Sequence, residues 1–353
     1  MKKSQQFLFL VTLIVAMMFV ISACGGQDET TSTADSGGNG DEKGEKTATA
    51  EETTTMKVAF GPGEGSLPYD TVVLFKDYVE EHSDGEIEVE LFPDSQLGSD
   101  TSVLNALRQG NIESTLLSTA LTSLVPEFGV FDIPFLFANR EKVEQIAHGE
   151  IWEEDLRGML PQKDLVGIGF WEAGFRQVTN NEKPITEPED LEGLSIRVPE
   201  SEIRMALFSH FGANPIAMDF GEVFTGLQQG VIDGQEGPLS NTKGARMEEV
   251  QKYLSVTNHV YSPAYMIASK KWFDSLSGEH QKIILEAGRY AGDEIRKQAE
   301  ELDGELLDYF EQEGMEVNQA NVEAFQSEMD PVIDIIKNKI DPEFVDKVVE
   351  AAK

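Results

Sequence analysis

Leu194-Ser-Ile-Arg-Val-Pro199 is a short apolar run that carries one charged residue and ends in proline. Such a run predicts a strand, and the proline closes it because proline cannot donate to a sheet ladder. Residues 201–211 then place Ile203, Leu207 and Phe211 on one helical face. A strand followed at once by a helix is the repeating unit of α/β folds, so this stretch predicts that class.

The same alternation extends towards the N-terminus. Met56-Lys-Val-Ala-Phe60 predicts a strand, and residues 86–91 alternate apolar with acidic, which is typical of a strand with one solvated face. Between them, apolar residues recur at helical spacing over 72–79, and another helix is predicted over 100–109. These elements favour a mixed sheet covered by helices.

Towards the C-terminus the pattern repeats and then changes. Asp219, with Glu222 three residues on, predicts a capping box at the start of a helix that ends at Gly230. An extended segment is expected over 256–268. Two helices, over 321–339 and 342–352, are expected to close the chain.

One predicted helix is much longer than the others. Residues 277–312 contain no proline, and apolar residues recur through them at helical spacing. A continuous helix of this length runs about 50 Å, which is enough to brace two lobes. The alternative is a pair of helices that break near Gly292.

The first residues predict the compartment. Lys2 and Lys3 precede an apolar run over 7–20 that is too short for a stable membrane span, and residues 1–23 are therefore expected to be a signal peptide. The ending Ile21-Ser-Ala-Cys24 resembles a bacterial lipobox, so Cys24 is expected to be diacylated. The alternative is an ordinary signal peptide with an incidental cysteine. Two acyl chains anchor a protein stably, which predicts an extracytoplasmic, lipid-anchored protein at the cell surface or in the periplasm.

Residues 24–55 predict a disordered acidic tether between this anchor and the folded body. They are rich in Gly, Ser, Thr, Asp and Glu, and such a segment cannot bury enough apolar surface to offset its ordering entropy.

Charge and chemistry narrow the function. The net charge of -36 argues against binding to nucleic acid or to anionic membrane surfaces. Cys24 is the only cysteine, the five histidines never reach the spacing of a zinc protease, and no nucleophile elbow or phosphate loop is present. No catalytic residue, metal or cofactor is therefore predicted, and binding is favoured over turnover.

Several longer motifs carry a resemblance. They are Leu91–Gly98, Val125–Phe137, Gly174-Phe-Arg176, Pro188–Pro199, Gly212–Pro238 and Val250–His259. In sequence and order they resemble the DctP-like solute-binding proteins of tripartite ATP-independent periplasmic (TRAP) transporters, from about residue 56 to residue 290.

The resemblance implies an α/β, two-lobed periplasmic-binding-protein-like fold with mixed sheets, crossing strands and a long helix spanning both lobes. The first lobe is expected over 56–174 and about 263–302, and the second over 175–262 and about 303–353. The expected ligand is a small organic carboxylate: a dicarboxylate, a hydroxy or keto acid, or a sugar acid. The expected partners are the small and large TRAP membrane subunits, and the chain is expected to be a monomer or a dimer.

Arginines carry the binding prediction. The resemblance assigns Arg197 to the main salt bridge with the ligand carboxylate, and a guanidinium fork matches a carboxylate with two parallel hydrogen bonds. A structural ion pair is the alternative. Arg176 is implied as a second ligand arginine, or as a brace between the lobes.

Residues other than arginines are also candidates for the binding site. Phe220 is implied to pack against the ligand's carbon skeleton, although an isolated phenylalanine is more often a core residue. Trp171, Glu64 and Glu200 are further cleft candidates. The sequence departs from its relatives at Gly237, where many have an asparagine whose amide gives the carboxylate a second donor. A backbone N–H, a water or a repositioned Arg176 are the possible replacements.

Two other functions stay open. One is a carboxylate-binding protein of an ATP-driven importer or a sensor kinase. The other, from a different class, is a secreted enzyme that acts on acidic sugars, which would need a nucleophile or metal set that the sequence does not supply.

Overall fold

The computed structural model describes residues 53–137 and 139–353. The predicted signal peptide, Cys24 and most of the predicted tether lie outside the described residues. The predicted tether extends slightly too far, because Thr54 and Thr55 already belong to the first strand and pair with Ile87 and Glu88.

Ten strands and twelve helices alternate along the described residues, together with short 3₁₀ and π turns. The strands are β1 Thr54–Ala59, β2 Ile87–Phe92, β3 Ser114–Leu117, β4 Leu165–Asn180, β5 Ser195–Val198, β6 Asn214–Ala217, β7 Gly234–Pro238, β8 Tyr253–Val256, β9 Tyr261–Ser269 and β10 Glu316–Gln319. The helices are α1 Leu67–His82, α2 Asp100–Gln109, α3 Arg140–Ala147, α4 Arg157–Met159, α5 Glu202–His210, α6 Val223–Gln228, α7 Leu239–Gly244, α8 Lys270–Phe273, α9 Gly278–Gln312, α10 Val322–Ser327, α11 Asp330–Lys337 and α12 Pro342–Ala352.

The strands form one connected array in two halves that share β4. The first half has the order β2-β1-β3-β9-β4, and the second has the order β4-β7-β5-β6, with β8 paired to β4 and β10 paired to β8. Strand β1 is parallel to its neighbours, whereas β9 is antiparallel to both β3 and β4. This mixed sheet confirms the predicted α/β class.

The long strand β4 crosses from one half to the other. Its residues Leu165–Phe175 pair with β9, whereas Arg176–Asn180 pair with β7. The register shifts between Glu172 and Gly174, and Gly174 has a φ of 115°, a conformation that favours glycine. A bulge of this kind bends a strand and re-aims it. The change of partner lies beside the expected lobe boundary at 174/175, and the exact lobe boundaries remain a prediction.

The long helix is continuous. Helix α9 spans 35 residues, and the Ser277 hydroxyl caps it by accepting from the His280 N–H at 3.1 Å. The helix lies so close to β4 that a Cβ on Gly288 would stand 2.5 Å from the Ile168 carbonyl oxygen. The alternative of two helices broken near Gly292 is therefore wrong, because these glycines permit a close approach to the sheet rather than a break.

The structure confirms some of the predictions for individual helices and contradicts others. The apolar face predicted over 72–79 is fully buried, and helix α2 ends at Gly110 in the left-handed conformation. The helix predicted over 321–339 is two helices, and the second carries Pro331 in its first turn. The capping box at Asp219 does not form, since its side chain makes no cap hydrogen bond and a 3₁₀ turn precedes α6.

A buried charge network, which we call the Glu236 network, ties the crossing together. The Glu236 carboxylate on β7 accepts from Arg176 on β4, from Arg204 on α5 at 3.1 Å and from His259 between β8 and β9 at 3.1 Å. Arg204 also donates to Asp132 at 2.8 Å. Three separate parts of the chain therefore converge on one carboxylate with no exposed surface.

Electrostatics keep Glu236 ionised. Burial alone raises its pKa, but Arg176, Arg204 and the hydrogen bond from His259 hold that pKa well below its usual value. Burial lowers the pKa of His259, against the opposing effect of Glu236. A neutral ring fits the contacts, since Nε2–H donates to Glu236 while Nδ1 accepts from the Thr257 hydroxyl at 2.8 Å.

We predict that Glu236→Gln lowers the free energy of unfolding by about 3 kcal/mol, because removing one partner of a buried pair leaves its cations uncompensated. Urea unfolding followed by circular dichroism measures the change. Glu202→Gln is the matched control, since Glu202 is exposed and pairs with Lys339 on the surface, and its midpoint should match the wild type. Equal midpoints for all three proteins would contradict a structural role for the network.

Candidate functional site

A cavity lies at the carboxyl ends of β5 and β7, where the two halves of the sheet meet. It holds about 780 Å³ of space free of protein atoms, a figure that includes open solvent. Both halves contribute to its walls, which are formed by Gly61, Pro62, Pro68, Asp100, Leu116, Leu117, Ser118, Thr119, Ala120, Ala173, Arg176, Arg197, Pro199, Glu200, Met218, Asp219, Phe220, Glu236, Gly237, Pro238, Asn241 and Ala264.

Arg197 is held rigidly with one end of its guanidinium free. It lies on β5, is 4 % exposed, and donates from Nε and Nη2 to the Met218 carbonyl oxygen at 2.9 and 2.7 Å. A guanidinium carries five N–H groups, so three have no acceptor among the described residues. Burial and then the charge of Arg176 lower the pKa of Arg197 to about 10, which leaves the group charged at neutral pH.

Arg176 also reaches the cavity, but its guanidinium is largely committed. It donates to both carboxylate oxygens and the carbonyl oxygen of Glu236, and its Nη1 donates to the Ser262 hydroxyl at 3.3 Å. One of its five N–H groups remains. These contacts fit the alternative prediction for Arg176, which is a brace between the lobes. Arg197 is therefore the arginine with more N–H groups available to a ligand.

Phe220 stands between the two walls. The Arg197 guanidinium carbon lies 5.8 Å from the centroid of the ring, and a Cβ on Gly61 would stand 3.6 Å from its Cδ1. An aromatic face of this kind packs against the carbon skeleton of a ligand while it supports the cation. The ring is half-buried.

Glu200 joins the walls by a hydrogen bond. Its carboxylate accepts from the Thr101 hydroxyl at 2.7 Å, and Thr101 lies on α2, next to the first half of the sheet. This contact connects the segment after β5 with α2 across the mouth of the cavity. The structure therefore places Glu200 at the site, in contact with protein as well as with the cavity.

Asp100 is a cavity residue that the sequence reading missed. Its carboxylate accepts no hydrogen bond from the described residues, and its Oδ1 would stand 3.7 Å from a Cβ on Gly61. Burial, followed by the charges of Asp219 and Glu200, raises the pKa of Asp100 to about 6, against the opposing charge of Arg197. In the sequence it is only the first residue of a predicted helix, and no local signal places it opposite Arg197.

Two predicted cleft residues lie elsewhere. Trp171 is 0 % exposed, packs against Phe75 with ring centroids 5.7 Å apart, and donates its indole N–H to the Gly288 carbonyl oxygen at 2.6 Å. It is thus a core residue between β4 and α9. Glu64 is exposed on the loop before α1 and does not line the cavity. Neither residue lines the cavity.

Gly237 lines the cavity as expected, and a second amide lies nearby. Asn241, on the first turn of α7, lines the same cavity. Asn241 is a different group from the three replacements predicted for the side chain absent at Gly237, namely a backbone N–H, a water and Arg176. The local signal is weak, because Asn241 stands four residues beyond the position that attracts notice.

The charges of the walls are unequal. Arg176 and Arg197 face four acidic side chains, namely Asp100, Glu200, Asp219 and Glu236. Glu236 is neutralised within its network, so the other three are the acidic groups left to a ligand. No group of three or more His, Cys, Asp or Glu side chains within the described residues is arranged to hold a metal ion.

Comparison with known proteins gives a consistent family. The family model "Bacterial extracellular solute-binding protein, family 7", named DctP, matches residues 60–339. The 2,3-diketo-L-gulonate-binding periplasmic protein of Escherichia coli is 38 % identical over 244 residues, which cover 69 % of this chain and 74 % of that protein.

Solved structures show the same relationship. The sugar acid binding protein of Advenella mimigardefordensis, in complex with galactonate, is 35 % identical with a TM-score of 0.81, covering 85 % of this chain and 98 % of that one. A TRAP solute-binding protein of Sulfurospirillum deleyianum with bound succinate is 31 % identical with a TM-score of 0.80, covering 85 % and 99 %. Both support the expected two-lobed fold.

Among the described residues, none of the helices combines the length and the apolar character needed to cross a membrane. The family model matches most of this chain, and the relatives named above are more than 30 % identical to it. The chain therefore belongs to the DctP family of TRAP transporter solute-binding proteins.

Proposed function

We propose that this protein is the lipid-anchored receptor of a TRAP transporter, and that it captures a sugar acid, a monocarboxylate with a hydroxylated chain, for delivery to the membrane subunits. The observation that carries the proposal is the free guanidinium end of Arg197 in a cavity with acidic walls. Cys24 provides the anchor.

Arg197 supplies the carboxylate site. Its Nε edge is fixed on the Met218 carbonyl oxygen, so the opposite end presents N–H groups from both Nη atoms without further loss of side-chain freedom. Hydrogen bonds between charged groups contribute about 1.5–3 kcal/mol each. A bidentate pair also fixes the orientation of the ligand, and the Phe220 ring supports its carbon chain.

The acidic walls favour hydroxyl groups over a second carboxylate. Asp100, Asp219 and Glu200 are hydrogen-bond acceptors, and a ligand hydroxyl donates to an acceptor. A second carboxylate on the ligand would instead add a negative charge beside them. The raised pKa of Asp100 reflects a site that already disfavours negative charge.

The same geometry suits capture by closure. The cavity walls come from both halves of the sheet, and these halves share β4. The Thr101–Glu200 hydrogen bond connects the two walls across the mouth of the cavity. A ligand that contacts both walls stabilises the closed arrangement, and a closed receptor is the form that we expect the membrane subunits to recognise.

We predict that Arg197→Gln lowers the affinity for D-galactonate at least 100-fold, because the bidentate pair is lost. Arg197→Lys should lose about 10-fold, since it keeps the charge without the planar fork. Isothermal titration calorimetry measures both, and thermal unfolding of the ligand-free proteins checks their folding.

Arg289→Gln is the control for charge, because Arg289 lies on α9 with a side chain that is 66 % exposed. It should bind like the wild type. Wild-type protein that binds no sugar acid, dicarboxylate or keto acid would overturn the proposed function, and full affinity in Arg197→Gln would overturn the assignment of the clamp.

We predict a pH-dependent preference between ligands of equal chain length. Wild-type protein should favour D-galactonate over galactarate, which has carboxylates at both ends, above pH 6. Below pH 6 the preference should shrink, because Asp100, with a pKa of about 6, becomes neutral and stops repelling the second carboxylate. Affinities measured between pH 5 and pH 8 test this.

Asp100→Asn should lose most of that pH dependence, whereas Asp77→Asn, which removes an exposed charge on α1, should keep it. A preference that does not change with pH in the wild type would contradict the role of Asp100.

We predict that the full-length protein made in a lipoprotein-processing bacterium partitions into the detergent phase of Triton X-114, since two acyl chains on Cys24 hold it there. Cys24→Ser should move it to the aqueous phase, and mass spectrometry of the mature N-terminus should detect the acyl groups only in the wild type. An unmodified wild-type N-terminus would refute the anchor while leaving ligand binding untouched.

A further inference from the structure

Gly237 leaves a gap in the cavity wall, and the side chain of Gln235 limits the space that a side chain at position 237 would have. A Cβ at this position would stand 2.9 Å from the Gln235 Oε1 atom, closer than real Cβ atoms approach such a group without a shift. Gln235 is buried, and its amide donates to the hydroxyls of Thr179 at 3.2 Å and Thr242 at 3.4 Å. A side chain at 237 would therefore have to displace an amide that is already bonded.

Asn241 fills a different part of the same wall. It lies on the first turn of α7, directly after β7 and Pro238, and it lines the cavity together with Arg197 and Gly237. Its Oδ1 accepts only a long hydrogen bond from the Ser240 hydroxyl, at 3.5 Å. Its Nδ2 donates to no acceptor among the described residues, and the residue is half-buried.

Sheet register places these residues beside Arg197. Strand β5 pairs in parallel with β7, and Arg197 stands opposite Gln235. Gly237 is two residues further towards the cavity, and Asn241 follows within one helical turn of the strand end. A ligand carboxylate held by the free end of Arg197 thus lies at the strand ends from which α7 begins.

We propose that the Asn241 carboxamide is a ligand-positioning group that donates a hydrogen bond to the carboxylate bound by Arg197, a role for which Gly237 offers no side chain. This inference rests on the proposed function. A neutral amide suits the position because the walls already hold four carboxylates and two guanidinium groups. It adds a donor without a second buried charge, whose desolvation would cost more than the bond returns.

The test compares Asn241→Ala, Asn241→Asp and the wild type by calorimetry with D-galactonate and with the shorter D-erythronate. Asn241→Ala should lose about 10-fold in affinity for both acids, because the lost bond is to the carboxylate that they share. Asn241→Asp should lose at least 100-fold at pH 7.5, since it places a negative charge against that carboxylate. Asn111→Ala, an exposed amide on the surface, should bind like the wild type.

Thermal unfolding without ligand separates this role from a structural one. The Asn241 side chain makes only one long hydrogen bond to the described residues, so the ligand-free Asn241→Ala protein should unfold within about 1 °C of the wild type. A lower midpoint with unchanged affinity would mean that Asn241 supports the fold instead, and would overturn the inference.

The remaining outcomes are also decisive. Full affinity in Asn241→Ala, in a protein whose Arg197→Gln variant fails to bind, would overturn the Asn241 inference and leave the proposed function standing. A loss for D-galactonate but not for D-erythronate would overturn the assignment to the carboxylate. Wild-type protein that binds neither acid nor any other carboxylate would instead refute the proposed function.

Discussion

The Glu236 carboxylate holds the binding region together. It is buried without exposed surface and accepts from Arg176, Arg204 and His259, which belong to three different segments. A carboxylate in this position is costly to bury unless it is fully paired, and two guanidinium groups with a hydrogen-bonded imidazole provide that pairing. The network fixes the strand crossing, so the geometry of the cavity at the strand ends follows from it.

The same carboxylate decides which arginine is free. Arg176 directs two N–H groups to the side chain of Glu236, a third to its carbonyl oxygen and a fourth to the Ser262 hydroxyl, so only one of its five is left. Arg197 has no carboxylate partner among the described residues and rests on a backbone carbonyl, which satisfies its Nε edge without neutralising it. The two arginines therefore differ in role. Arg176 is neutralised by Glu236 inside the fold, whereas the charged guanidinium of Arg197 faces the cavity.

Sequence patterns predicted the parts of this structure that depend on neighbours along the chain. Helix α9, the end of α2 at Gly110 and strand β5 follow from periodicity and from glycine or proline at the ends of elements. The cavity depends on contacts between distant residues, so Asp100 and Asn241 went unnoticed while Trp171 was misplaced. An indole packs equally well in a protein core and against a ligand. The hydrogen bond from Trp171 to the Gly288 carbonyl oxygen, 117 residues away in the sequence, shows that Trp171 belongs to the core.

Closure and ligand choice are linked through the acidic groups. Asp100 on α2 lies at one mouth with Glu200, which follows β5, and Asp219, which precedes α6. The charges of Asp219 and Glu200 add to burial in raising the pKa of Asp100, and the charge of Glu200 adds to burial in raising the pKa of Asp219. Bringing the walls together without a ligand leaves this repulsion in place, relieved only by the Thr101–Glu200 bond and by Arg197. Under the proposed function, a hydroxylated acid would offset it twice, because its hydroxyls would donate to the carboxylates while its own carboxylate would pair with Arg197. An anion without hydroxyls would offset it once, so we expect the walls to select for the ligand that does both.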